Sequence, residues 1–221
     1  VLECFLKYSS ESLSTKDLGV LMSSDGKFSK HIFEIVRKSH SLCIQIHKAF
    51  YSKDKQLLLK AFTTYVRPIL EYCSVVWSPF YLKDIILIEK VQRRFTKRLF
   101  ESSNMTYSER LKLLELESLE ERRIKTDLLH CFKTLRKFTQ RGSDFFQLSK
   151  NRFNDKQDLY INYSRTDMRK FWFANRTAKI WNKLSPSLKC TKSLAVFKEI
   201  LKETDLAQFC RGPGFDGSKC P

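Results

Sequence analysis

The sequence predicts a mainly α fold: a helical bundle with a small N-terminal β-hairpin, a long loop and further C-terminal helices. Only 6 Gly and 5 Pro occur in 221 residues, too few for the turns of a sheet-rich chain. Most long segments repeat apolar residues every three or four positions rather than every second one. The exception is near the start, where the extended run Leu18-Gly19-Val20-Leu21-Met22 meets Ser24-Asp25-Gly26-Lys27. Asp-Gly reads as a hairpin turn, and residues 1–8 are available as the partner strand.

The helices follow in order. Over residues 28–50, Ile32, Ile35, Val36, Leu42, Cys43 and Ile46 share one face while Lys and His take the other. A second helix is expected over 54–66, interrupted at Arg67-Pro68 because proline lacks an N–H and disfavours helix in the residue before it. The apolar stretch 69–77 restarts as a separate helix and Ser78-Pro79 closes it. Residues 84–100 are the clearest amphipath. At 100° per residue, Lys90, Arg93, Arg94, Lys97 and Arg98 fall in an arc of about 140°, and Ile85, Ile88, Val91, Phe95 and Leu99 fall opposite. A short helix is expected at 107–116. The capping pattern Ser118-Leu119-Glu120-Glu121 then opens a long helix to about 140, with Ile124, Leu128, Cys131, Leu135 and Phe138 as its seam. Residues 143–165 lack a helical period and read as a long loop with an extended pair around 145–148 and 159–163. Two more helices, at 167–183 and 193–204, precede a tail expected to be disordered. The resulting regions are 1–27, 28–101, 102–205 and 206–221.

Composition narrows the function. Forty-one Lys and Arg against 24 Asp and Glu give a net charge of +17, which favours an anionic partner. No apolar run reaches the roughly 18–20 residues of a spanning helix, and no charged-then-apolar leader opens the chain, so no membrane partner is expected. Seven Cys without a C-x-x-C pair read as reduced thiols of an intracellular compartment, nucleus or cytoplasm, with Cys43, Cys73 and Cys131 as core thiols. No metal site is predicted. No Asp-Asp pair, Gly-rich phosphate loop, G-x-S-x-G or H-E-x-x-H occurs, so no catalytic residue is assigned. With Val1 rather than Met in first place, a fragment or processed product is expected.

The charge is concentrated. Residues 83–98 carry six basic and two acidic side chains, and residues 165–183 carry six and one. In the second segment Arg165, Arg169, Lys170 and Arg176 alternate with Phe171, Trp172, Phe173 and Trp181, a mixture suited to phosphates and unstacked bases. The spacing of Phe171, Ala174, Ala178 and Trp181 equally suits a core face. Lys90, Arg93, Arg94, Lys97, Arg98, Arg165, Arg169, Lys170 and Arg176 are the candidate nucleic-acid-binding residues.

An ordered set of short stretches resembles the C-terminal part of the reverse transcriptase of jockey-type non-LTR retrotransposons. These are Lys16-Asp17-Leu18-Gly19-Val20, Phe28-Ser29-Lys30-His31-Ile32, Val66-Arg67-Pro68-Ile69-Leu70-Glu71-Tyr72 and Val76-Trp77-Ser78-Pro79. Glu89-Lys90-Val91-Gln92-Arg93-Arg94-Phe95-Thr96, Tyr107-Ser108-Glu109-Arg110-Leu111 and Glu121-Arg122-Arg123 follow. Thr166-Asp167 to Phe171 and Asn175-Arg176 to Trp181-Asn182-Lys183-Leu184 complete the set, which spans about residues 16–200.

The resemblance implies that Leu18, Gly19 and Val20 form a primer-grip-like hairpin at the end of the polymerase palm. The helices after it would be the thumb that holds the template-primer duplex. It also implies that the palm with its metal-binding aspartates, and the upstream endonuclease, precede Val1 and are partners within the same polyprotein. A divalent metal such as magnesium is then expected only for the parent polymerase, and no cofactor for this chain. The function implied is that part of an RNA-directed DNA polymerase which binds and positions template-primer nucleic acid. The alternatives are a helical protein-interaction module whose basic faces meet an acidic partner or an anionic membrane surface, and a non-functional truncated copy of such an element.

Overall fold

The chain enters the fold through a two-residue hairpin. Strands β1 (Ser14–Asp17) and β2 (Val20–Ser23) pair antiparallel, with Asp17 opposite Val20. The tip is Leu18-Gly19, with φ of 44° and 87°, the left-handed pair of a type I′ turn. This corrects the sequence reading, which put the turn at Asp25-Gly26 and Gly19 within a strand. Gly26 does turn, its N–H donating to the Ser23 carbonyl at 2.9 Å, but the chain leaves it into a helix. The computed structural model describes residues 14–51, 54–100, 104–136, 145–149 and 157–212. The partner strand expected at 1–8, much of the loop 143–165, Phe138 and the end of the tail lie outside the described residues.

The described residues divide into two compact units, one made of the residues up to Leu119 together with Arg211 and Gly212, the other spanning Glu120–Cys210. The sequence reading placed its division after residue 101.

In the first unit, α1 (Ser29–Ala49) buries Ile32, Ile35, Val36, Cys43 and Ile46, the stripe its period predicts. Asp54 caps α2 (Lys55–Ala61) by accepting the Gln56 N–H at 3.0 Å. Pro68 does not interrupt the helix. A π-helical turn at Phe62–Val66 carries the chain directly into α3 (Arg67–Glu71), with Arg67 itself in the α conformation. The wider turn absorbs the lost N–H and the steric demand of the ring. The break comes later, at Cys73 with φ 56°, before α4 (Ser74–Trp77). Trp77, fully buried, donates its indole N–H to the Tyr72 carbonyl at 2.7 Å across that break. Helix α5 (Leu82–Leu99) lays Ile88, Val91, Phe95 and Leu99 into the same core, where Phe95 stacks on Phe62 at 4.5 Å. Helix α6 (Tyr107–Leu113) starts with a reciprocal capping box between Thr106 and Glu109.

The second unit is built on the seam of α7 (Leu119–Leu135). Ile124, Leu128, Cys131 and Phe132 pack with Trp181, Leu188, Phe197 and Leu201. The helix expected over 167–183 is two pieces, α8 (Asp167–Lys170) and α9 (Phe173–Lys183), parted at Phe171-Trp172 where Trp172 is extended. A short α10 (Pro186–Cys190), which the sequence reading missed, precedes α11 (Leu194–Glu203). Leu148 and Leu159 form an antiparallel bridge, within the extended pair expected in the loop. The expected tail starts too early: Leu206 is fully buried and Ala207–Phe209 form a 3-10 turn.

Three further readings are sharpened by burial. Cys43 and Cys131 are core thiols, but Cys73 is exposed. Burial pushes the Cys43 thiol up to about 12. No described helix is long and apolar enough to cross a membrane.

Candidate nucleic-acid interface

The rotation of α5 decides which of its cations reach solvent. Its apolar side is fixed by the core just described, and one flank is held by a buried polar cluster. Glu89 accepts the Tyr107 hydroxyl at 2.5 Å and the Leu119 N–H at 3.1 Å. Gln92, fully buried, donates to the Tyr107 oxygen at 3.1 Å and to the Glu117 carbonyl at 2.9 Å. Burial beside the Glu89 carboxylate pushes the Tyr107 phenol far above its ordinary range, so it stays a donor. Ser29 ties the start of α1 to Asp84 at the start of α5, 2.6 Å away. Sequence reasoning missed this cluster, because Glu89 and Gln92 meet Tyr107 and the 117–119 backbone only once three separate segments are packed together.

With that rotation set, Lys90, Arg94, Lys97 and Arg98 lie exposed on one face. They stand at i, i+4, i+7 and i+8, about 12 Å from first to last at 1.5 Å per residue. No ion pair joins any of the four to a described carboxylate. Arg93 departs from the predicted stripe: it is half-buried, its guanidinium 4.7 Å from the centre of the Tyr107 ring. That position serves the packing of α6 on α5.

The second predicted set divides in the same way. Arg165, Arg169 and Lys170 are exposed. Arg176 instead makes a two-pronged pair with Asp127, at 2.8 and 3.0 Å, and donates to the Phe171 carbonyl at 3.2 Å. Burial pushes the Asp127 carboxyl up, and the facing Arg176 guanidinium pulls it back down. Trp181 is buried with its indole N–H on the Gln157 carbonyl at 2.9 Å, a core role; Phe171, Trp172 and Phe173 are half-buried.

At the hairpin, Leu18 is 83% exposed at the tip and its carbonyl accepts the Tyr72 hydroxyl at 3.0 Å. Gly19 needs its φ of 87°, and a Cβ there would come to 3.7 Å from the Tyr72 ring. Val20 is only 4% exposed, so of the three hairpin residues predicted as a contact surface only Leu18 and Gly19 form the tip. Among the described residues no three His, Cys, Asp or Glu side chains come together as metal ligands. The described residues do not fit a two-metal centre.

No protein-family model matches the chain, and no solved structure matches it. A curated relative, "Uncharacterized protein B0403.1" of Caenorhabditis elegans, is 27% identical over 111 residues, which is 49% of this chain and 56% of that protein. The chain thus spans about half the length of the curated relative it matches.

Proposed function

We propose that this chain binds and positions the template-primer duplex as the thumb-like part of a retrotransposon RNA-directed DNA polymerase, in the nucleus or cytoplasm, with the metal-dependent chemistry carried by a separate palm. The observation that carries the reading is the face of α5: four exposed cations on one side of a seated helix, with no carboxylate partner among the described residues. Laid along the duplex axis, twelve ångströms of that face cover a length carrying three to four phosphates of one strand, at one per about 3.4 Å of axis. Phosphate contacts of this kind fix register and orientation without reading sequence, which suits a polymerase that must hold any template. Arg165, Arg169 and Lys170 offer a second set of cations, and the Leu18-Gly19 tip offers an exposed backbone turn suited to close approach.

The test is fluorescence anisotropy of a DNA duplex over a salt series. Neutralising four phosphates gives a slope of log K against log salt of about −3.6, at about 0.9 per contact. Changing Lys90, Arg94, Lys97 and Arg98 to Gln, with Arg93 kept over Tyr107, is expected to weaken binding and flatten the slope by up to that amount. A variant that melts like the parent and keeps its slope would remove α5 from the interface.

A further inference from the structure

Between α1 and α5 runs a groove of about 260 Å³, lined by His40, Cys43, Ile44 and His47 from α1 and by Val91, Arg94, Phe95 and Arg98 from α5. Its walls and floor differ in character. Cys43, Val91 and Phe95 are buried and make an apolar bottom. His40 and His47 are half-buried on one wall, and the exposed Arg94 and Arg98 form the other. Among the described residues no carboxylate lines it. Two fixed positive charges face two groups able to become positive, so a cation is repelled and an anion is drawn in.

We propose that this groove seats one phosphodiester of the bound nucleic acid between Arg94, Arg98 and His40, and that His40 takes up a proton as the phosphate enters.

Among the described residues, the groups facing His40 are Arg94 and Arg98 across the groove and Cys43 and His47 along α1, and no other described element contributes a lining residue. In the free protein, burial and then the two guanidiniums hold the His40 imidazole below its ordinary 6.5, so it is neutral near pH 7. A phosphate between it and the two Arg side chains reverses the sign of the local field and favours the imidazolium. By linkage, affinity then rises as pH falls through the interval between the bound and free midpoints. Each unit of upward shift is worth up to about tenfold in affinity. A diester is the right ligand for this arrangement. It stays a monoanion across the range, whereas a terminal phosphate titrates itself near about pH 6.

This inference rests on the proposed nucleic-acid face of α5, and its test separates the two. Duplex affinity of the full chain is measured at fixed ionic strength from pH 8 to 6, with 5′-hydroxyl and with 5′-phosphorylated ends. His40 ring resonances are titrated in parallel with and without dimethyl phosphate. Parent affinity is expected to rise about three- to tenfold towards pH 6 on either duplex. His40→Gln reduces the rise to under about twofold, and His130→Gln in the other unit leaves it intact. Dimethyl phosphate raises the His40 midpoint.

Salt-dependent binding with no pH response, or a response that survives in His40→Gln, overturns the seat and leaves the face standing. A response confined to the phosphorylated duplex overturns the diester assignment. Absence of duplex binding removes the proposed face, and the dimethyl phosphate titration then decides the seat alone: a raised midpoint sustains it and an unmoved one ends it.

Discussion

Tyr107→Phe isolates the polar cluster that seats α5. The ring, 8% exposed, keeps its volume, and Arg93 keeps the aromatic face it lies over. What is lost is one hydroxyl that donates to Glu89 and accepts from Gln92. Gln92 retains the Glu117 carbonyl and Glu89 retains the Leu119 N–H, so the deletion removes one charge-assisted bond and one neutral one without fully stranding either partner. A bond to a charged group is worth about 1.5–3 kcal/mol and a neutral one about 1 kcal/mol. The expected loss is therefore about 2.5–4 kcal/mol. Urea unfolding followed by circular dichroism measures it: the midpoint falls while the slope with denaturant stays at the parent's value. Below the transition, the salt slope of duplex binding is expected to be unchanged, because the hydroxyl touches no phosphate. A variant unfolding at the parent's midpoint would mean that water replaces the hydroxyl at no net cost, and the cluster would then not hold α5 in place. A variant that keeps its stability but loses binding would instead place Tyr107 in the interface.

The other expectations concern the two cores and their titrating groups. Trp77→Ala and Trp181→Ala each remove a side chain at most 1% exposed and are expected to cost about 3–5 kcal/mol by denaturant melt. Asp127→Asn leaves the largely buried Arg176 without its anion and is expected to cost about 3–5 kcal/mol. Glu199→Gln, at an exposed pair with Lys202, should change the midpoint by less than about 1 kcal/mol. His31 is buried, its Nδ1 accepting the Leu21 N–H at 3.3 Å, and burial holds it below its ordinary 6.5. The unfolded chain then protonates first, so this stability is complete above pH 6.5 and is lost as pH falls from there through the folded midpoint. Thermal melts from pH 8 to 5 should show that loss, and His31→Gln should reduce its steepness.

What the sequence made legible was whatever depends on one segment. The buried faces of α1 and α5 follow directly from apolar spacing, because a seated amphipathic helix has one way to turn. Several of the failures involve a second segment. The helical wheel places Arg93 in the stripe, since it cannot see Tyr107 fourteen positions on. Arg176 reads as a free cation because Asp127 lies 49 residues away. The hairpin was misplaced for a related reason. Asp-Gly has the better intrinsic turn chemistry, yet Leu18-Gly19 forms the I′ turn, with the Tyr72 hydroxyl on the Leu18 carbonyl adding a contact from α3's far end. Pro68 illustrates the last kind of miss: a single π turn lets the helix run through a residue whose average effect is to stop it.

These misses change what the net charge of +17 means. A basic chain has cations to spare, but many are consumed internally. Arg176 neutralises Asp127, Lys189 is buried against Asp158 at 2.7 Å, Arg110 donates to the Met105 carbonyl at 2.7 Å, and Arg136 donates to the Thr191 carbonyl at 2.7 Å. Each answers a local polar group, and removing it would be felt as lost stability. Lys90, Arg94 and Arg98 follow the opposite rule. They stack like charges at i, i+4 spacing, which costs roughly 0.2–0.5 kcal/mol per pair, whereas on α7 the same spacing joins Lys125 to Glu121. A helix whose packing alone is at stake gains from a carboxylate in that row, and α5 places both of its acids, Asp84 and Glu89, on the buried side instead. The repulsion is sustained by the apolar face and the Glu89 cluster, and it is relieved when an external polyanion lies along the row. That asymmetry, rather than the total charge, is what supports the proposal that α5 lies against nucleic acid.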